Sequence, residues 1–334
     1  MNTSVAAPAA DDYARLRDDA ALVDRANRLR MTFSGPQASA TLNGLVTNDV
    51  LALQPGHGLY AAALTPKGKV IADLRVFHRA AGDFVVDVHA AAAAGFTAMV
   101  RKYVNPRLAR YEDSSASLAC LGVAGPHARQ VVAHALGCSP AEFDLLPPFA
   151  NRDMPFGERR VMVSRAGDYG VDGLDCFVAA DASGALRAAL VQSGAAPASA
   201  AAVDVLRIEA GRPAWGVDMD EDTLTQEAGL DTLDALSYTK GCYTGQEVVA
   251  RLHFRGHVNR RLCGLRVAAV AEGEARVLSG DADVGDVRSR ALSPRLGGVA
   301  LAMLRREVEP GAVVTVRWPD GDVPATVVAL PFPA

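Results

Sequence analysis

The pattern of apolar residues changes near Asn259, and this change limits the fold more than any other feature of the sequence. After Asn259 the chain consists of short β-like runs separated by turn residues. This spacing predicts a small antiparallel β-barrel in residues 260–334. Before it, strand-like and helix-like runs alternate, which predicts an α+β region over residues 1–259. A length of 334 residues is sufficient for both.

The region before the barrel contains two stretches with the same order of elements. In the first, a helix over 38–45 precedes a hairpin made of strands 58–64 and 69–78. In the second, a helix over 126–136 precedes a hairpin whose turn is rich in glycine. An amphipathic helix over 11–29 is expected ahead of both. We therefore predict two intertwined α+β subdomains built on one plan.

Composition excludes several classes of partner and site. A formal net charge of −4 gives no general attraction to nucleic acid or to anionic membranes, so neither is an expected partner. None of the five cysteines forms a Cys-x-x-Cys pair, which argues against a metal centre and favours a reducing, cytoplasmic location.

Residues 1–10 are predicted to be a mobile tail, and they lack the basic start of a signal peptide. His253 and His257 have helical spacing, but the Phe-Arg-Gly between them is a poor helix, so no metal site is predicted there.

The most informative segment is Lys240-Gly-Cys-Tyr-Thr-Gly-Gln-Glu-Val-Val-Ala-Arg251. A helix is expected to begin near Gly245, which places Cys242 close to the positive end of that helix. Lys240, one of only four lysines in the chain, is two residues away. Both neighbours favour the thiolate, so Cys242 and Lys240 are candidate catalytic residues. The competing interpretation is a half-buried cysteine beside a loop lysine, and the residues alone do not decide between the two.

Arginines are concentrated in and after this segment. Arg251, Arg255, Arg260 and Arg261 form a local basic cluster suited to a ligand carboxylate or phosphate, with a solvated basic face as the alternative. Gln246, in the first turn of the expected helix, and Arg251 are therefore included among the candidate ligand contacts.

Lys240–Arg251, continued by Phe254-Arg-Gly256, resembles the signature of the YgfZ-type folate-binding proteins. These are relatives of the glycine cleavage T-protein and of mitochondrial iron–sulfur assembly proteins. The resemblance implies a ring-like arrangement of two mixed α/β subdomains with a C-terminal barrel, and tetrahydrofolate or a derivative near its centre. Further blocks extend it over nearly the whole chain, namely LNGLVTNDV (42–50), TPKGKVIADLRVF (65–77), VAGP (123–126) and LRIEAG (206–211).

The resemblance also implies specific site residues. Asp73 matches the catalytic carboxylate of the T-protein, which ends an acidic pair whose first member is Ala72 here. Tyr60 falls beside the folate, and Phe77 falls where an aromatic side chain lines the pocket. Glu209 matches a glutamate that binds the pterin ring. The alternative for Glu209 is a cap or an ion pair of its own helix.

Two departures bear on the activity. Where the T-protein hairpin has tyrosine and glutamate, this chain has Asp168 and Val171, which argues against aminomethyl transfer. Cys242 and its motif instead imply a tetrahydrofolate-binding protein that supports assembly or repair of iron–sulfur clusters, with iron–sulfur enzymes or cluster-assembly proteins as partners. Asp73 keeps a folate-dependent aminomethyltransferase or demethylase as the alternative. A scaffold without a small ligand is a third interpretation.

Overall fold

The computed structural model describes residues 10–333, so the predicted N-terminal tail lies outside the described residues except for Ala10. No helix within residues 10–333 is long and apolar enough to cross a membrane. The helices are α1 (Ala10–Asp18), α2 (Ala38–Leu45), α3 (Ala93–Tyr103), α4 (Ala128–Leu136), α5 (Ser183–Gln192), α6 (Ala200–Glu209) and α7 (Gln246–Arg255).

The strands form two open sheets and a closed antiparallel barrel. The first sheet has the order β3-β4-β5-β2-β6 and the second β11-β1-β7-β10-β9-β8, while β12-β15-β14-β13-β16-β17 close into the barrel. Mixed α/β sheets followed by a six-stranded barrel confirm the predicted fold class. The strands are β1 (Ala21–Asp24), β2 (Arg28–Ser34), β3 (Gly58–Leu64), β4 (Val70–His78), β5 (Phe84–His89), β6 (Arg110–Asp113), β7 (Leu118–Ala124), β8 (Asn151–Phe156), β9 (Arg159–Arg165), β10 (Gly173–Ala179), β11 (Ala196–Pro197), β12 (Arg260–Val267), β13 (Arg276–Ser279), β14 (Ala282–Ser293), β15 (Gly297–Arg305), β16 (Val313–Trp318) and β17 (Gly321–Val328).

The two open sheets repeat the order strand, helix, hairpin, strand, helix. Elements β2 to α3 form the first repeat and β7 to α5 the second. In each repeat the helices cover one face of the sheet over an apolar core, which contains Phe33 and Phe96 in the first and Phe143 in the second. Complete burial of a side chain of this size stabilises the fold by roughly 1.5–3 kcal/mol. The opposite faces of the sheets are left free to meet each other.

The helix predicted over residues 11–29 is wrong beyond Asp18. Helix α1 ends there, and Ala21–Asp24 forms β1, which pairs antiparallel with β7. The run after Asp18 buries side chains in two directions, since Leu22 enters the core of the second sheet while Val23 packs in the cluster around α6. Alternating burial of this kind needs an extended strand between two layers.

The free faces of the two sheets meet through an apolar contact and an ionic one. Phe77 of β4 packs edge-on against Phe177 of β10, with ring centroids 5.2 Å apart. Arg75 is only 1% exposed and binds Asp87 of its own sheet at 3.0 Å and Asp175 of the other sheet. Removing one member of such a buried set leaves an uncompensated charge, which costs about 3–5 kcal/mol. The two sheets are therefore fixed relative to each other at this contact.

Helix α6 connects the second sheet to the barrel. Its N-cap is Ser199, whose hydroxyl accepts a hydrogen bond from the amide of Ala202. Leu206 belongs to a buried cluster that also contains Val299 and Leu301 of β15. The helix thus lies at the junction where the cavity described below opens.

Candidate functional site

A cavity of about 310 Å³ lies beside the inner faces of the two sheets, next to α6 and the loop that follows it. This volume is within the usual range of small-molecule sites, roughly 300–1,000 Å³. The cavity brings together two predicted site residues, Tyr60 and Asp73. Its other charged and aromatic lining residues are Asp24, Arg25, Arg28, Arg75, His89, Asp168, Tyr169, Asp204, Arg207, Arg212 and Trp215.

Asp73 and Tyr60 are held together on neighbouring strands. The Tyr60 hydroxyl donates a hydrogen bond of 2.9 Å to Oδ2 of Asp73. The other carboxylate oxygen, Oδ1, is buried and has no hydrogen-bond partner among residues 10–333. Burial raises the pKa of Asp73, although Arg28 and the Tyr60 hydroxyl oppose the shift. The arrangement gives a carboxyl group that is available for proton exchange with a bound molecule.

Asp168 is a second carboxylate in the cavity, and its environment is the opposite of that of Asp73. Its Oδ1 accepts a hydrogen bond of 2.8 Å from Arg25, and Nη1 of Arg75 is 3.7 Å away. Burial alone would raise its pKa, but Arg25 and Arg75 outweigh burial and hold the pKa of Asp168 well below its usual range. Asp168 therefore remains an anion and can accept hydrogen bonds permanently.

The glycine-rich turn between β9 and β10 fixes Asp168 in this place. Gly170 has a φ of +77°, and a Cβ atom added to it would lie 2.6 Å from Cβ of Ala210 at the end of α6. Only glycine permits so close an approach together with a left-handed backbone. The sequence pattern predicts this hairpin. The resemblance marks Asp168 only as a replacement for a tyrosine, so the sequence alone does not identify it as a residue of the cavity.

Three further lining residues were not predicted. Arg212 makes no side-chain hydrogen bond or ion pair within residues 10–333, and Nε1 of Trp215 is buried there without a partner. His89 lies at the end of β5, and burial and Arg28 lower its pKa. The segment Gly211-Arg-Pro-Ala-Trp215 could have pointed to two of these residues, because it places one of only two tryptophans in the chain just after the end of a helix.

Phe77 and Glu209 do not line the cavity. Phe77 is 1% exposed and belongs to the apolar contact between the sheets. The Glu209 carboxylate accepts hydrogen bonds from Tyr13, at 2.8 Å, and from Ser293 of the barrel. Arg295 lies 3.7 Å from it. In this structure Glu209 therefore links α6, α1 and the barrel, as in the alternative of an ion pair, and it does not line the cavity where a pterin contact would be made.

The ammonium group of Lys240, expected beside the thiol of Cys242, bonds to backbone carbonyls in this structure. Lys240 is buried, and Nζ donates to the carbonyls of Asn43, Val46 and Asn48 at 2.6, 2.8 and 2.7 Å. These acceptors lie at the end of α2, where a positive charge is favoured. Burial lowers the pKa of Lys240 to about 8. Cys242 is exposed, and it does not line the cavity.

The remaining candidates lie outside the cavity as well. Gln246 begins α7 and is half-buried, whereas Arg251 on the same helix is exposed. The predicted arginine cluster is divided, because two of its members pair with separate acids. These pairs are Arg260 with Glu227 at 3.0 Å and Arg261 with Glu309 at 2.8 Å.

The Lys240–Arg251 segment packs on the turn of the hairpin that carries Asp73. Gly245 has a φ of +83°, and a Cβ atom added to it would lie 2.6 Å from the carbonyl oxygen of Thr65. In the other direction, a Cβ added to Gly68 would lie 2.8 Å from Cβ of Val248. These two glycines, one from each segment, allow the backbones to touch.

Two family models together match most of the chain. The GCVT N-terminal domain matches residues 2–237, and the glycine cleavage T-protein C-terminal barrel domain matches residues 260–333. The chain belongs to the glycine cleavage T-protein family. This family uses tetrahydrofolate as substrate or cofactor, which confirms the cofactor expected from the resemblance.

Curated relatives agree with this assignment along most of their length. An aminomethyltransferase of Bordetella petrii is 33% identical over 328 residues, covering 96% of this chain and 87% of the relative. One of Ralstonia pickettii is 34% identical over 340 residues, covering 96% and 88%. The crystal structure of the glycine cleavage system aminomethyltransferase T from Bartonella henselae superimposes with a TM-score of 0.87 at 21% identity. It covers 100% of this chain and 94% of that one, which shows a shared fold.

The cavity fits a flat, polar ligand such as a reduced folate. Oδ1 of Asp73 and Nε1 of Trp215 are buried polar atoms without partners, so each can bond to a ligand atom. Asp168 offers a fixed acceptor, and Arg212 offers donors suited to a carboxylate. The aromatic faces of Tyr60 and Trp215 supply apolar surface for a ring.

Proposed function

We propose that this protein binds a reduced folate in the cavity and carries out a folate-dependent transfer of the aminomethyltransferase type, with Asp73 as the group that exchanges a proton. The observation that carries the proposal is the Asp73 carboxylate, with one oxygen held by Tyr60 and the other buried without a partner. Its raised pKa brings proton exchange closer to neutral pH. The named activity of the curated relatives supports the same chemistry.

The charged residues of the cavity have different proposed roles, which follow from their different electrostatic environments. When bound, tetrahydrofolate supplies the nitrogen atoms that carry a one-carbon unit. Asp73 exchanges a proton at Oδ1, while Tyr60 holds its other oxygen in place. Asp168, kept anionic by Arg25, accepts N–H groups at the edge of the ring. Arg212 binds a carboxylate of the ligand.

The binding part is tested by titration with tetrahydrofolate. A Trp318→Phe variant leaves Trp215 as the sole tryptophan, so its fluorescence reports on the cavity. We expect saturable quenching in the micromolar to low-millimolar range. Absence of binding in that range, measured independently by calorimetry, would end the proposal.

The catalytic part is tested with an aminomethyl donor. We expect methylene-tetrahydrofolate to form with the wild-type protein and not with Asp73→Asn. If the wild-type protein binds tetrahydrofolate but forms no product with any aminomethyl donor, the transferase proposal fails and the binding proposal stands.

A second function, of the YgfZ type, is favoured by the position of Cys242. It is the exposed member of the five cysteines, whereas three are buried and Cys138 is half-buried. An exposed thiol in a long motif suits support of iron–sulfur clusters in other enzymes. In cells lacking the native protein, Cys242→Ala would fail to restore iron–sulfur enzyme activity, whereas the control Cys138→Ala would restore it. Equal rescue by both variants contradicts this function.

A further inference from the structure

The loop that carries Cys242 is bound by several hydrogen bonds to residues 43–48, which comprise the end of α2 and the segment that follows it. Lys240 donates to three carbonyls in residues 43–48, as described above. The amide of Ser237 donates to the Thr47 carbonyl at 3.0 Å, and the amide of Thr244 donates to the Gly44 carbonyl at 3.1 Å. The exposed thiol thus lies on a loop whose backbone is anchored on both sides of Cys242.

The same segment holds the strand that carries Tyr60. Nδ2 of Asn48 donates to the carbonyl of Tyr60 at 2.9 Å, and the amide of Ala62 donates to Oγ1 of Thr47 at 2.8 Å. Tyr60 in turn donates to Asp73 at 2.9 Å. Residue-to-residue contacts therefore lead from Lys240 through Asn48 and Tyr60 to Asp73. Lys240 and Asn48 each bond the backbone carbonyl of the next residue, and the Tyr60 hydroxyl bonds Oδ2 of the carboxylate whose Oδ1 has no partner among residues 10–333.

The hairpin that carries Asp73 has a second contact with the thiol loop. Its turn touches Gly245 at the start of α7, through the close approach to Thr65. The Cys242 loop is therefore held to β3 near Tyr60 and to the turn at the far end of β3. A change in the position of this hairpin would therefore alter both contacts of the Cys242 loop, the one near Tyr60 and the one at Thr65.

We infer that Lys240 is a positioning residue that couples the Cys242 loop to the Tyr60–Asp73 pair, so that occupancy of the cavity changes the reactivity of the thiol. The inference rests on the proposed binding of a reduced folate. A ligand that engages Asp73 and Tyr60 stabilises the bonded arrangement, and the loop with its exposed thiol then leaves that one conformation less often.

The test measures the alkylation rate of Cys242 by N-ethylmaleimide, followed by mass spectrometry of the intact full-length protein and its peptides. We expect saturating tetrahydrofolate to slow alkylation of Cys242 at least about fivefold, the lower end of typical couplings. Cys138, on a loop after α4 and half-buried, is the internal control, and its rate stays unchanged.

Two variants separate positioning from a merely structural role. Lys240→Met removes the first link, and Asn48→Asp removes the donor to Tyr60 while keeping the oxygen that accepts from the Asp49 amide. In both variants we expect the same alkylation rate with and without tetrahydrofolate, at concentrations that saturate binding. A variant that is only less stable would show faster alkylation and still respond to the ligand.

The outcomes distinguish this inference from the proposed function. If tetrahydrofolate does not bind the wild-type protein, the proposed function fails first. If it binds and the Cys242 rate is unchanged, or if both variants keep the wild-type response, the coupling is refuted and the folate site stands. The wild-type measurement decides the matter even if neither variant folds.

Discussion

The cavity and the Lys240–Arg251 motif differ in how their polar groups are satisfied. In the motif, Lys240 is bonded to three carbonyls, and Gly245 is fitted against a neighbouring backbone. In the cavity, Asp73 and Trp215 each retain a buried polar atom without a partner. The more distinctive stretch of sequence therefore serves largely to hold structure together, and the polar atoms left without partners in the cavity belong to residues far apart in the chain.

Of the predicted effects, the largest is the loss of transfer activity on substitution of Asp73. We expect Asp73→Asn to lower the rate of folate-dependent transfer by about 10²–10⁴-fold, since it removes a proton-exchanging group but keeps the shape. Tetrahydrofolate affinity should change far less. The matched control is Asp172→Asn, whose carboxylate pairs with Arg129 outside the cavity. A similar loss in both variants would show that Asp73 has no special role.

The structural role of the Lys240–Arg251 motif is tested by measuring the stability of a Lys240 variant, not its activity. Lys240→Met leaves three carbonyls without their donor, so the free energy of unfolding should fall by about 3 kcal/mol in urea titrations. The control Lys67→Met changes an exposed lysine and should stay within about 0.5 kcal/mol. An equally small effect at Lys240 would mean that its hydrogen bonds do not support the fold.

The two glycines of the motif, Gly241 and Gly245, allow a more specific test, because only one of them is in close contact with a neighbouring backbone. Gly245→Ala forces a Cβ into the Thr65 carbonyl and an unfavourable φ, and we expect about 2 kcal/mol of destabilisation. Gly241→Ala meets no atom within 4 Å, so its effect should be within about 0.5 kcal/mol. Thermal and urea unfolding of both variants check this. The reverse order would contradict the described packing of the motif.

The last expected effect, similar in size to that of Gly245→Ala, concerns acid stability at the contact between the sheets. Burial alone would raise the pKa of Asp87, but Arg28, Arg75 and Arg30 outweigh it and lower the pKa to about 2. A lowered carboxyl pKa stabilises the folded state above the unfolded pKa of about 3.9. That stabilisation, about 2 kcal/mol, is lost as the pH falls from about 4 to 2. Urea titrations across this range should show a fall that is smaller in Asp87→Asn.

Only the part of the cavity formed by Tyr60 and Asp73 could be predicted, because these two residues lie on one hairpin. The turn signal at Thr65–Gly68 fixed the pairing of β3 with β4, and the family resemblance selected Tyr60 and Asp73 from it. Phe77 lies on the same face of β4 as Asp73, but the sequence does not reveal where the second sheet covers that face. Local pattern gives the face of a strand, and contacts between distant elements decide what lies on it.

Glu209 and Asp168 show the same limit for a helix and a turn. The periodicity of α6 identifies a buried face, but it does not say that the barrel and α1 bind Glu209 there. Asp168 enters the cavity because Gly170 lets the hairpin turn rest on α6. Both outcomes depend on packing between segments far apart in the chain, which no single stretch of residues encodes.

Arg75 has a consequence for any attempt to divide the molecule. Its guanidinium serves one acid on each sheet, Asp87 and Asp175, at a site closed to solvent. A fragment carrying only one of the sheets would expose this charge to water and lose its cross-sheet counterion. The two halves, though built on one plan, are thus expected to melt in a single transition and to be poor candidates for separate expression.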